Sequence, residues 1–407
     1  MTNSPNFCLK YTYYLEDLLF TINSLSLALY VIISINIKEV FKVKKVEQRV
    51  SEKLSEAYTL PSWLYTKPEV LDVEKRVIFS KTWQYAGHTS QFTKPGDYIT
   101  MEVADRPIII SYGQDGELRA FYNVCTHRAA KLAEGEGNKP VFTCPYHAWT
   151  FRLDGSLHRA PNMNGVENFN HEDYCLKTIR LEVLESFIFI NLDPNAPSMS
   201  SQFPDLFQHV KKYDLASFKR VRVKETICKS NWKIGIDNYL ECDHCSIVHK
   251  ALVSKLDMNQ YEVAMYDNYS YQGTPLKGLT GDFGLGQGGR YYWLYPNTWF
   301  SFDPGPANLS IHQSIPIDHK TTKYVYTTFF KTDEITKEEE ELMAIDALVR
   351  KEDLDICEVV QKGLETGVFT QGRFSLTENC VHQFHLLLQK NLEGELPLKT
   401  DKQSTAF

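Results

Sequence analysis

The sequence predicts an α+β protein: a mostly β domain followed by a mixed domain of helices and strands. Three observations predict it. Between Trp83 and Asn191 the chain runs in short alternating or apolar segments broken by turns. After residue 192 it mixes longer stretches of helical period with strand-like runs. Finally, the 43% apolar and 13% aromatic content is that of a packed globular protein and argues against disorder.

At 407 residues there is room for two domains. A net charge of −7 speaks against nucleic acid as the main partner. Nine cysteines are too few for a disulfide-stapled scaffold. They predict a cytoplasmic or organellar reducing compartment, with some thiols available as metal ligands.

Residues 1–45 hold a hydrophobic segment. Leu18–Ile37 carries no charge and is long enough to span a bilayer, though six of its residues are polar. Lys38, Lys42, Lys44, Lys45 and Arg49 follow, so an inserted span would leave the main domain on the cytoplasmic side. Glu16 and Asp17 just upstream are unlike a signal peptide. A single-span anchor, a targeting segment and an extension upstream of the true start are all open readings.

Residues 46–82 read as a helical lead-in, its charged helical pattern over 39–60 ending near Pro61. The first domain takes 83–191, with strands at Asp97–Glu102, Pro107–Tyr112, Leu118–Asn123, Val141–Thr143, Trp149–Leu153 and Phe187–Asn191. Gly113–Gly116 and Asp154–Gly155 supply turn chemistry between them. The second domain takes 192–395, with helical patterns over 205–215, 233–250 and 335–365 and strands at Arg290–Leu294 and Lys323–Phe330. Residues 396–407 are a tail.

Two loops of the first domain carry one cysteine and one histidine each: Cys125-Thr-His127 and, sixteen residues on, Cys144-Pro-Tyr-His147. A thiolate and an imidazole from each of two rigid loops can grip a small cluster from both sides. In a Rieske 2Fe–2S centre the cysteines hold one iron and the histidines the other, which raises the potential above that of an all-cysteine cluster. Two other readings stand beside it: a tetrahedral zinc site, which accepts the same ligand types, and coincidence. Neither loop has a further cysteine for a loop-to-loop disulfide.

The second domain carries His244 and His249 in the run Asn231–His249. Two histidines and one carboxylate on one face of an iron leave positions open for oxygen and substrate. Residues five apart on a straight helix point about 140° away from each other, so shared ligation requires the helix to end or bulge between them. Glu241 lies one turn before His244. For the carboxylate, the 335–365 segment offers Asp353 inside an apolar stripe of Leu342, Ile345, Val349, Ile356 and Val360. A carboxylate aimed into a core is costly unless paired or bound to a metal. Glu352 and Asp355 fall towards the edges of the stripe, and Asp346 at the acid-rich start is expected to be exposed. Taken alone, the two histidines also fit ordinary core or surface positions.

These residues resemble the Rieske non-haem iron oxygenase α-subunit family over roughly residues 60–390, nearest its choline, carnitine and glycine-betaine monooxygenase branch. Trp83–His88, Pro95–Tyr98, Asn123–Arg128, Cys144–Trp149, Asn231–His249, Tyr292–Asn297, Glu352–Gln361 and Phe384-His385 carry the resemblance. It implies a Rieske domain followed by a catalytic domain with a central antiparallel sheet and flanking helices. It implies a 2Fe–2S cluster on Cys125, His127, Cys144 and His147, and mononuclear Fe(II) on His244, His249 and Asp353. Glu241 would pass electrons from a neighbouring subunit's cluster within a homotrimer. The implied reaction uses O₂ to hydroxylate a small organic substrate, of quaternary ammonium type. No Gly-rich dinucleotide fingerprint is present, so NAD(P)H would act only through a separate reductase or ferredoxin. One departure is Ala148, where the family usually has Gly.

Aromatic faces match a quaternary ammonium cation, and Tyr239, Tyr292, Trp293, Tyr295 and Phe302 are the pocket candidates, with ordinary strand packing as the other reading of each. An aromatic or other apolar substrate for the same iron machinery, and a non-enzymatic electron carrier, are the competing functions.

Overall fold

The computed structural model describes residues 49–397 apart from Asp333. Leu18–Ile37 and most of the 396–407 tail lie outside the described residues, among which no helix is long and apolar enough to cross a membrane. Arg49–Leu392 form one compact unit. Of the other, Met1–Gln48 with Glu393–Phe407, the described part holds a single bridge between Glu393 and Leu396.

The lead-in differs from its expected helix. Residues 49–60 hold one 3₁₀ turn, Leu54–Glu56, because distant partners take the backbone groups a helix would need. Thr59 N donates to Gly372 O (3.1 Å), Leu60 N donates to His385 Nδ1 (3.0 Å), and Tyr58 bridges Arg373. Helix begins only beyond Pro61, at Trp63–Thr66 and then Pro68–Glu74, where Pro68 opens the first turn at no hydrogen-bond cost. A π turn, Lys75–Phe79, continues it.

Ten strands follow: β1 (Gln84–His88), β2 (Asp97–Val103), β3 (Arg106–Tyr112), β4 (Leu118–Tyr122), β5 (Glu136–Asn138), β6 (Phe142–Thr143), β7 (Thr150–Phe151), β8 (Leu157–Arg159), β9 (Thr178–Leu184) and β10 (Phe187–Asn191). Seven pair in the order β1-β10-β9-β4-β3-β2-β5, and β6-β7-β8 form a small separate sheet. Between them lies a core that includes Ile109, Phe121, Phe142, Trp149 and Phe151.

The second sheet is antiparallel: β11 (Lys219–Cys228), β12 (Glu262–Met265), β13 (Tyr269–Pro275), β14 (Gly288–Leu294), β15 (Thr298–Phe302), β16 (Asn308–Asp318) and β17 (Thr321–Phe330), in the order β11-β17-β16-β15-β14-β13-β12. Tyr85, Phe187 and Phe189 of the first sheet pack in one apolar cluster with Tyr292, Phe300, Phe302 and Phe329 of the second. Burial of such rings dominates core energetics.

The other face of the second sheet meets helices. Lys337–Glu365 starts on a capping box in which Thr336 and Glu339 satisfy each other's backbone N–H groups. Trp232–Tyr239 is tied to Pro68–Glu74 by a fully buried ion pair, Lys233 Nζ to Glu74 Oε1 at 2.7 Å, with Trp232 Nε1 donating to Glu74 Oε2 (2.8 Å). The helix expected over 233–250 is thus three pieces: Trp232–Tyr239, Cys245–Val248 and Lys250–Val253.

Candidate metal centres and the cavity beside them

The two cysteine–histidine loops share one backbone pattern. In each, the cysteine carbonyl accepts from the N–H four residues on (Ala129, 2.9 Å; Ala148, 3.1 Å), and the cysteine N–H donates to the carbonyl five residues on (Ala130, 2.8 Å; Trp149, 2.7 Å). Ala129 (φ 59°) and Ala148 (φ 58°) both take the left-handed conformation this closure needs, which costs an alanine about 1–2 kcal/mol. Glycine suits Ala148's position better, and the chain bears the methyl group without changing the loop path.

Cys125 and Cys144 are buried, and burial pushes the Cys125 thiol up. His147 is exposed and His127 half-buried, with ring centroids 4.8 Å apart. His127 stacks on buried Trp149 (4.7 Å, 6°), while exposed Tyr146 lies against His147 (3.7 Å). The thiols therefore face inward and the imidazoles outward. A single zinc needs all four donors within a few ångströms of one another. Two thiols on the inner side and two imidazoles on the outer side are the donor set that a Rieske two-iron cluster takes, one iron on each pair.

A tight grouping of donors lies in the second domain: His244, His249 and Asp353, whose donor atoms lie within 4.8 Å of one another. His244 Nε2 is 3.2 Å from His249 Nε2 and 3.5 Å from Asp353 Oδ1, and His249 Nε2 is 2.9 Å from the same oxygen. The helix break makes this triangle. His249 sits between two one-turn helices with φ −104° and ψ 57°, which swings its ring back towards His244. Each ring is also held from behind: Glu241 takes Nδ1 of His244, and Glu352 Oε2 takes Nδ1 of His249 at 2.9 Å. Carboxylates behind ligand histidines fix the tautomer that leaves Nε2 free to ligate. Burial works against charge on His244, but hydrogen bonds to Asp353 and Glu241 outweigh it and lift its pKa to about 9. Burial likewise opposes charge on Asp353, yet the two imidazoles hold its carboxyl below the usual range. Such a donor set is built for a cation.

Glu241 reaches His244 from a turn rather than from a shared helix face, and also accepts from His244 N (3.3 Å). A disulfide, Cys242–Cys245, closes that turn around Asp243 and His244, so two of the nine cysteines are joined rather than reduced thiols. Asp243 in turn accepts from Ser375 Oγ (3.2 Å) and Thr377 Oγ1.

The triangle borders a cavity of about 150 Å³. Tyr239 lines it. The other four pocket candidates do not, and for Tyr292 and Phe302 strand alternation is the reason. Tyr292 and Phe302 face the opposite side of the sheet, in the inter-sheet core. Trp293 shares the cavity-side face but packs on Phe384 (5.4 Å) and Tyr295 (5.9 Å), beyond the cavity's end. The other aromatic walls are Tyr261, Tyr291, Trp299, Tyr324 and Tyr326, none of them among the expected residues. Period-two alternation through β14 and β15 was the signal that could have found Tyr291 and Trp299.

Charged residues also line the cavity. Asp303 is half-buried and accepts from Tyr291 Oη (3.3 Å); desolvation, then the neighbouring charge of Asp346, pushes its pKa up to about 7. Asp346, expected at the surface, is largely buried, and its carboxylate meets Arg350 Nη2 at 2.6 Å one turn along the helix. The stripe on that helix runs through Leu342, Asp346, Arg350, Asp353 and Cys357, whereas Ile356 and Val360 are exposed.

Residues 209–394 match the ring hydroxylating alpha subunit (catalytic domain) family, and residues 82–170 match the Rieske [2Fe-2S] domain family. The carnitine monooxygenase oxygenase subunit of Escherichia coli K12 is 36% identical over 349 residues, covering 82% of this chain and 93% of its own. The chloroplastic choline monooxygenase of Arabidopsis thaliana is 30% identical over 385 residues, covering 88% and 90%. A quaternary ammonium Rieske monooxygenase solved with L-carnitine superposes with a TM-score of 0.77 at 33% identity, over 86% of this chain and all of that one. A naphthalene 1,2-dioxygenase from Rhodococcus shares the fold at 18% identity, with a TM-score of 0.70 over 83% of this chain and 95% of that one.

Proposed function

We propose, on the premise that this chain belongs to the Rieske ring-hydroxylating α-subunit family, that it is the oxygenase subunit of a monooxygenase acting on a quaternary ammonium compound. The family's two cofactors are a Rieske 2Fe–2S cluster and a mononuclear iron, which supply electrons and the activation of O₂ when bound. Cys125, His127, Cys144 and His147 would hold the first; His244, His249 and Asp353 would hold the second.

The observation that carries the substrate reading is the cavity wall. Tyr239 and Trp299 pack on each other at a tilt (centroids 4.8 Å, 32°) with Tyr291 beside them, leaving their outer faces to the cavity lining, and half-buried Asp303 adds a carboxylate. A trimethylammonium group has no N–H to donate, so aromatic faces and a nearby negative charge are what can bind it. A neutral aromatic substrate would offer no cation to Asp303, while Asp346 already has Arg350.

The protein's own part in the reaction is positional. Glu241 and Glu352 hold the Nδ1 protons, and so aim both Nε2 atoms at one point. The aromatic walls orient the substrate and exclude water. Electrons enter from a separate reductase or ferredoxin. We infer that they cross between subunits, from His147 of one copy to Glu241 of another, in a trimer. Exposed Tyr146 at the cluster tip faces solvent. Ile247 (74% exposed), in the one-turn helix after His244, and Leu376 (72%), next to the Ser375 that bonds Asp243, are exposed apolar side chains on the segments around the turn of Glu241.

The test is iron quantification with substrate-dependent O₂ consumption, a reductase being supplied in trans. We expect about three irons per chain and turnover with choline, carnitine or betaine. Turnover of aromatic acids alone overturns the substrate reading, and about two irons per chain without turnover would mark an electron carrier.

A further inference from the structure

The cavity beside the metal triangle is lined by phenol and indole rings: Tyr239, Tyr261, Tyr291, Trp299, Tyr324 and Tyr326. The chain holds as many Phe as Tyr, 23 of each, yet none of the described residues that line this cavity is Phe. Packing and cation binding need only the ring. What phenol and indole add is the ease with which they give up an electron. The rings also touch in series: Tyr291 to Tyr239 (centroids 6.4 Å), Tyr239 to Trp299 (4.8 Å), Trp299 to Tyr324 (6.4 Å) and Tyr324 to Tyr326 (6.2 Å).

A phenol parts with an electron readily only when its proton leaves to a base within hydrogen-bond reach. Among the described residues, Tyr291 is the cavity tyrosine whose hydroxyl donates to a carboxylate, Asp303 Oδ1 at 3.3 Å. Tyr261 donates to the amide oxygen of Gln272, which is no base, and the buried hydroxyls of Tyr239 and Tyr324 have no partner in the protein. Asp303 feels the charges of Asp346 and Arg350 on the long helix, and its pKa of about 7 suits a group that takes a proton and returns it.

We propose that Tyr291, with Asp303 as its proton acceptor, is an internal electron donor that reduces the oxidant formed from O₂ at the iron when no substrate stands in the cavity. This rests on the oxygenase reading above and not on the choice of substrate. In a productive cycle O₂ takes two electrons from the reductase and two from the C–H bond that becomes C–OH. Without substrate, Tyr291 supplies one of the missing two. Its O–H bond breaks, the electron goes to the oxygen-derived oxidant, the proton goes to Asp303, and a neutral tyrosyl radical remains. The reductase supplies the other electron and solvent the protons, so the oxygen leaves as two waters. One more reductase electron, with the proton held on Asp303, restores the phenol. Tyr291 need not touch the iron, because the contacting rings of Tyr239 and Trp299 can pass the electron one ring at a time.

The iron-loaded protein, reduced and then mixed with O₂ in the absence of substrate, is frozen at set times for EPR and digested for peptide mass spectrometry. We expect a free-radical signal with the ring-proton splitting of a tyrosyl, falling several-fold when choline or carnitine is present. Y291F keeps the ring and should lose the signal several-fold, with added oxygen appearing instead on other cavity peptides. D303N keeps an acceptor for the hydroxyl but no base for its proton, and gives the same loss of signal if Y291F does not fold. A radical undiminished in both variants overturns the proposal. So does a wild type that forms no radical yet takes up O₂ when substrate is added, which leaves the oxygenase reading standing. Neither radical nor O₂ uptake overturns both.

Discussion

The carboxylate of Glu241 takes the Nδ1 proton of His244, whose other nitrogen stands 3.2 Å from Nε2 of His249. One side chain thus touches the candidate iron ligand directly and, through Asp243 N and His244 N, holds the turn that carries it. Glu241→Gln keeps an acceptor for Nδ1 but removes the charge. We expect iron content within about twofold of wild type, since outer partners usually change metal affinity by about 10- to 100-fold only when lost outright. Electron delivery should be what fails. Reduced cluster should stay reduced on mixing with O₂ and substrate, followed as the visible absorbance of the Rieske centre.

Asp353→Asn removes the only anionic corner of the His244–His249–Asp353 triangle. About one of the three irons per chain should be lost, with the Rieske spectrum unchanged, as read by chelator titration and low-temperature EPR. Loss of the Rieske signal as well would show that the two sites do not fill independently.

Asp303, held at about 7 by burial and the charge of Asp346, is neutral below that pH and ionised above it. Affinity for a quaternary ammonium ligand should therefore rise by up to roughly tenfold between pH 6 and pH 8. Asp303→Asn should flatten the rise. The stability effect has the opposite sign. A carboxyl raised in the folded state binds more protons there than in the unfolded chain. Its contribution is therefore present at low pH and is lost as pH climbs through 7. Asp303→Asn should lose less Tm than wild type over that interval in differential scanning fluorimetry.

Lys233 and Glu74 are both fully buried and answer only each other, Trp232 and the ring of Tyr65 (5.2 Å). Removing one partner strands a charge. Lys233→Met or Glu74→Leu alone should cost about 3–5 kcal/mol, and the double variant much less. Chemical denaturation of all three variants separates a stranded charge from simple loss of packing, because only the former is rescued by the second substitution.

The Cys242–Cys245 disulfide encloses Asp243 and His244, so its reduction frees the turn that sets Glu241 against His244. Thiol titration of the denatured, unreduced protein should find two cysteines fewer than the sequence holds. Reduction before iron loading should slow or weaken uptake at the His244 site, measured as iron bound at equal times, without affecting the Rieske chromophore.

Much of this was legible in the chain. The Cys-x-His and Cys-x-x-His loops, the five-residue histidine spacing and Asp353 are local or periodic signals, and the break between His244 and His249 followed from helical geometry once both were taken to share one metal. Three things were not. The lead-in turned out extended because Gly372 and His385, more than three hundred residues away, take its hydrogen bonds. Asp346 looked exposed because it stands at the acid-rich start of its helix, and its pairing with Arg350 one turn on was not read. The cavity aromatics were misplaced because burial cannot tell the two faces of a strand apart when both are buried. In β14, Tyr291 and Tyr292 are chemically identical letters pointing to opposite sides.

That same alternation gives the protein room to change its diet. In β14 and β15 the cavity side (Tyr291, Trp299, Ser301) and the core side (Tyr292, Phe300, Phe302) are interleaved residue by residue. Point substitutions on the first set reshape what enters the cavity and leave the inter-sheet packing intact. A single inserted residue, by contrast, would exchange the two sets at once. Selection acting here can therefore drift one letter at a time towards a new substrate, and it is barred from sliding the strand to reach one.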